Sequence, residues 1–81
     1  MTDDEVLAAM TPIFRDAFSD DVMTPTMGMS AKDVPGWDSY KQVNILIAVE
    51  ERFGVKFRSR EIDRLGNVGD LVGLVRAKLA G

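Results

Sequence analysis

The chain has 81 residues, a formal charge of -3, and neither cysteine nor histidine. Disulfides, thiolate zinc sites, a Ser-His-Asp hydrolase and imidazole metal ligands are thereby excluded, so no catalytic residues and no metal are expected. No apolar run reaches the ~20 residues of a membrane span, the acidic start over residues 1–5 is not expected to act as a secretory signal, and acidity argues against nucleic acid.

One soluble, cytoplasmic, monomeric domain over residues 1–81 is therefore expected. Thr2 and Glu5 have capping-box spacing, and Val6, Leu7, Met10, Ile13, Phe14 and Ala17 follow at helical intervals. They predict a helix over about residues 3–18. Pro12 removes a bond to the Ala8 carbonyl, costing about 3 kcal/mol unless the helix kinks, so a bend is expected there.

Residues 19–38 contain Pro25, Gly28, Pro35 and Gly36 without a sustained period. Connections of this length are uncommon in compact domains and tend to be functional. Met23, Met27 and Met29 suit adaptable filler that pins the crossover; the alternative is a Met-lined ligand site.

A second helix is predicted from Asp38 or Ser39, both good N-caps, to a stop at Gly54. Ile45, Leu46, Val49 and Phe53 fall on its core side, with Lys41, Asn44, Ala48, Glu51 and Arg52 roughly opposite. Ile47 sits at the outer edge of the apolar arc, near Tyr40, and Glu50 at its border. Ile47 is either a docking knob or a boundary residue covered by the loop. Val55-Lys56-Phe57 has no strand to pair with and reads as a linker.

Ser59 is expected to cap a short helix over Arg60 to Leu65. Asn67 then caps a last helix from Val68 to about Leu79, with Asp70 complementing the dipole and Val68, Leu71, Val72, Val75 and Leu79 forming one stripe. The fold class is all-α, a small four-helix bundle of three main helices and one short one, with a long first loop.

Ser39 stands where a helix dipole and unpaired N–H groups favour a phosphate. The Pro35-Gly36 turn fixes the entry of the chain, and Trp37 can anchor it and leave the serine outward. The plain alternative is a helix cap and nothing more.

Trp37-Asp38-Ser39-Tyr40, then Val43, Ile45-Leu46, Val49-Glu50-Glu51 and Phe53-Gly54-Val55, resemble the modification segment of acyl carrier proteins. The likeness covers nearly the whole chain, with the helices in family order. It implies that Ser39 carries covalent 4'-phosphopantetheine, transferred from coenzyme A by a phosphopantetheinyl transferase that supplies magnesium and a base. It also implies that Asp38 positions the loop, and that Asp38, Tyr40, Ile47, Glu50 and Glu51 form a partner face. Expected partners are the transferase, an acyl- or aminoacyl-loading ligase or transferase, and a downstream acyltransferase, synthase or thioesterase. An added thiol explains how a cysteine-free chain takes part in acyl chemistry.

Tyr40 replaces the family's usual Leu, and Lys41 and Asn44 stand where fatty acid carriers tend to be acidic. The segment Lys41 to Phe53 is formally neutral, and Lys56, Arg58, Arg60 and Arg64 follow it. Weak steering toward standard partners and a stand-alone carrier for a specialised pathway are expected, against drift on a solvated face. The alternatives are an aminoacyl or peptidyl carrier and an unmodified helical interaction domain. Any acyl pocket is expected among Leu46, Val49, Phe53, Ile62, Leu65 and Val72.

Overall fold

The chain folds, in a computed structural model describing residues 1–80, into helices α1 (Asp3–Ala17), α2 (Ser39–Phe53), α3 (Ser59–Asp63) and α4 (Val68–Ala80), with a single 3-10 turn at Ala31–Asp33 in the first loop. No strand occurs among the described residues, and the all-α architecture matches the sequence reading.

Helix α1 begins at the expected capping box. The Thr2 hydroxyl accepts from the Glu5 N–H at 3.2 Å, and the Glu5 carboxylate accepts from the Thr2 N–H at 2.8 Å. The helix runs unbroken through Pro12. Ala8 and Pro12 both lie on its exposed face, so the carbonyl deprived of a partner is open to solvent.

The core is a three-helix seam. Val6, Met10 and Phe14 of α1 meet Ile45, Leu46 and Val49 of α2 and Val68, Leu71, Val72 and Val75 of α4. Each set recurs at three- or four-residue intervals, which turns one stripe of every helix inward. Leu79, expected on the α4 stripe, is instead 42% exposed, because no residue beyond Val75 reaches the core. Phe53 is half-buried, with the Arg52 guanidinium 5.3 Å from its ring centroid.

The long loop is a packed crossover. Met23, Met27 and Met29 are half-buried against the core, and Pro25 is buried. The Met29 and Met27 carbonyls accept from the Val68 and Gly69 N–H groups at 2.8 and 2.7 Å. The loop thus satisfies donors that the first turn of α4 leaves orphaned. A Cβ at Gly69 would lie 2.9 Å from the Met27 oxygen, so only glycine allows this approach. At the other end of the loop Arg15 Nε donates to the Met23 carbonyl at 2.8 Å.

Three of the other boundaries differ from expectation, one being the end of α3, which stops at Asp63 rather than Leu65. Arg58, not Ser59, is the N-cap of α3, and the Glu61 carboxylate reaches back to the Arg58 N–H at 2.8 Å. Helix α4 continues to Ala80. Its cap is as expected: Asn67 Oδ1 accepts from the Asp70 N–H, and Asp70 Oδ2 from the Gly66 N–H, both at 2.8 Å. Helix α2 stops at Gly54, whose φ of +67° is the left-handed conformation that glycine adopts without strain.

Candidate functional site

Helix α2 starts from a turn held by one aromatic side chain. Gly36 has φ +87°, and Trp37 follows with its ring half-buried, edge-on to Phe14 at 5.6 Å and to Phe18 at 5.8 Å. Its indole N–H donates to Gln42 Oε1 at 2.7 Å, so the anchor is fixed at both ends.

Asp38 is the N-cap, with Oδ1 accepting from the Lys41 N–H at 2.8 Å. Ser39 is therefore the first residue inside the helix, and the capping role open to either residue belongs to Asp38. The Ser39 side chain is exposed, and its hydroxyl makes no hydrogen bond among the described residues. The Ser39 and Tyr40 N–H groups likewise find no acceptor there. One free hydroxyl and two free donors share the positive end of the helix dipole.

Beside Ser39 lies a cleft of about 490 Å³, within the range of small-molecule sites. Trp37, Gln42 and Val43 form one wall, and Leu65, Gly66 and Leu71 the other. Of the six residues expected to surround a pocket, only Leu65 lines this cleft. Leu46, Val49 and Val72 are buried in the helix seam, where side chains fill the space.

The expected partner-face residues are placed unevenly. Asp38, Tyr40, Ile47 and Glu51 are exposed, Tyr40 at 79% and Ile47 at 48%. Val43, which the sequence reading did not assign to this face, lies between them at 54% exposure. The 40, 43, 47 spacing was the available signal. Glu50 is half-buried, and its Oε2 accepts from the Phe57 N–H at 2.7 Å, holding the linker after α2. Gln42, also overlooked, contributes both to the anchor and to the cleft wall.

Lys41 is displaced from its expected place on the solvated face. It is half-buried, and its ammonium donates to the Ala17 carbonyl at 2.6 Å, over the ring of Phe18. The last turn of α1 supplies that carbonyl, so the amine is drawn inward by an orphan acceptor. No group of three or more potential metal ligands occurs among the described residues. Among them, no helix is long and apolar enough to cross a membrane.

No family model matches the chain. It is 27% identical over 79 residues to an acyl carrier protein of Exiguobacterium, covering 98% of this chain and all of that one. It is 32% identical over 76 residues to the acyl carrier protein MbtL of a Mycobacterium, covering 94% and 85%. The solution structure of a holo acyl carrier protein from Geobacter metallireducens superposes with a TM-score of 0.86 at 44% identity, over 93% of this chain and 86% of that one. The four-helix architecture matches the fold of that carrier protein. The chain belongs to the acyl carrier protein family. The proteins it resembles are carriers rather than catalysts.

Proposed function

We propose that Ser39 is the attachment point for 4'-phosphopantetheine, and that residues 1–81 act in the cytoplasm as a carrier presenting tethered acyl groups to partner enzymes. The observation that carries the reading is the division of labour at positions 38 and 39. Asp38 caps the helix, leaving the Ser39 hydroxyl exposed and without a partner. A phosphodiester on Ser39 fits the free N–H groups of Ser39 and Tyr40 and the adjoining cleft. The group's thiol supplies thioester chemistry, tethered at high effective concentration.

In the loading step Ser39 Oγ bonds to the phosphorus nearer the pantetheine of coenzyme A. The pyrophosphate bridge breaks, adenosine 3',5'-bisphosphate leaves, and the hydroxyl proton passes to a base on the transferase. Asp38 holds the first turn, Trp37 holds the entry, and Tyr40, Val43, Ile47 and Glu51 offer the partner surface, with Glu50 at its border.

The charge pattern supports a specialised fatty acid, polyketide or secondary-metabolite pathway over general fatty acid synthesis. Residues 41–53 are formally neutral, so the acidic steering of a general carrier is missing here. Incubation with coenzyme A, magnesium and a broad-specificity transferase should add one phosphopantetheine to the intact mass. An unchanged mass across several transferases, or equal loading of Ser39→Ala, would overturn the assignment.

A further inference from the structure

Resting on the reading of Ser39 as the loaded residue, we infer that the transferase that loads it presents carboxylates to a basic surface formed by the end of α2, the following linker and α3. Arg52, Lys56, Arg58, Arg60 and Arg64 are all exposed. Among the described residues the ion pairs are Arg76–Asp3 and Lys78–Glu61, both 2.9 Å, so none of these five has an acidic partner. Glu61, which α3 itself carries, is neutralised from α4 by Lys78. Glu50, Glu51 and Asp63 form no ion pair in that stretch, and the Glu50 carboxylate is held by the Phe57 N–H.

The chain as a whole is acidic, so this surface runs against its own average. The carboxylates gather elsewhere: Asp3, Asp4 and Glu5 at the start of α1, and Asp16, Asp20, Asp21 and Asp33 around the first loop. Five cations without an acidic partner lie within 13 residues and repel one another, although Arg52 also packs over the Phe53 ring in the last turn of α2. An acidic surface relieves that repulsion and raises the encounter rate.

The surface is adjacent to the site. Helix α3 is followed by Arg64, and the next two residues, Leu65 and Gly66, form a cleft wall with Ser39 opposite. Arg64 thus directly precedes the cleft lining in the chain. The exposed stripe Tyr40, Val43 and Ile47 runs along α2 from Ser39 toward Glu51. The complementary surface is an apolar depression rimmed by carboxylates.

The test measures kcat/KM for loading the apo protein from coenzyme A by the transferase of its own host, by intact mass, at low salt and at about 0.3 M salt. The substrates are wild type, the double variant Arg60→Glu with Arg64→Glu, and the double variant Glu51→Gln with Asp63→Asn. All four positions are exposed and outside the ion pairs, and amide NMR spectra check that the fold is kept. Charge reversal should lower kcat/KM about tenfold or more at low salt, chiefly through KM, and removing the two acids should raise it. Salt should slow wild type and narrow the gap. Equal or faster loading of the reversed variant, or a wild-type rate unmoved by salt, would overturn the inference. Failure of wild type to load at all would remove the reading of Ser39, and the inference with it.

Discussion

The ammonium of Lys41 lies 2.6 Å from the carbonyl oxygen of Ala17 and 5.5 Å from the ring centroid of Phe18. A residue two positions after Ser39 thus closes the C-terminal end of α1, where a cation also complements the helix dipole. The start of α2 and the end of α1 are tied at the point where the long first loop enters α2. Charged hydrogen bonds contribute about 1.5–3 kcal/mol. Because Lys41 is half-exposed, Lys41→Met should cost only about 1 kcal/mol in urea unfolding. An unchanged midpoint would show that the contact contributes nothing.

Substitutions at positions 38 and 39 should separate capping from carrying. Asp38→Ala loses the bond to the Lys41 N–H and should cost about 1 kcal/mol. Ser39→Ala loses no bond within the chain and should stay within about 0.5 kcal/mol of wild type. Paired denaturation curves check both values, and a larger loss at Ser39 than at Asp38 would return the capping role to the serine.

The Trp37 anchor is open to a local probe. Gln42→Leu leaves the indole N–H without its acceptor, at a cost of about 1–3 kcal/mol for a buried donor and toward the low end for a half-buried one. The indole N–H resonance should move upfield and exchange faster with solvent. An unmoved resonance would mean that the bond is not formed in solution.

Acid should weaken the fold through two helix starts. Thr2 holds the Glu5 carboxyl below its ordinary value of 4.5, through backbone and then side-chain hydrogen bonds. Lys78, and then the Arg58 backbone, do the same for Glu61. In the unfolded chain both groups return to the ordinary value, so between the two values the unfolded state binds more protons. Their contribution is full above the unfolded value and is lost as pH falls through the lowered folded one. Thermal midpoints taken from neutral pH downward should drop below about pH 4.5. Glu61→Gln should flatten that limb; an unaltered acid limb would remove Glu61 from the explanation.

What the sequence made legible were features with local causes. Thr2 with Glu5 and Asn67 with Asp70 are caps whose partners lie three residues away, and the buried stripes follow from helical spacing. The Trp37 anchor and the exposed Ser39 were legible too, because the Pro-Gly turn precedes a bulky aromatic directly. Contacts between distant backbone groups were not legible. Nothing in the composition of the first loop indicates that the Met27 and Met29 carbonyls complete the start of α4. The same holds for Lys41 on Ala17 and Glu50 on Phe57: a charged side chain on a helix reads as solvated until an orphan backbone group is placed beside it. The cleft was misplaced for a related reason, since its walls come from the ends of elements rather than from their apolar stripes.

The most direct measurement is fragmentation mass spectrometry of the tryptic peptide spanning residues 33–41 from protein purified out of its native cells. The expected result is a phosphopantetheine adduct localised to Ser39, released in part as the pantetheine fragment. A bare peptide in cells with an active transferase, or the adduct on any other residue, would contradict the assignment of Ser39.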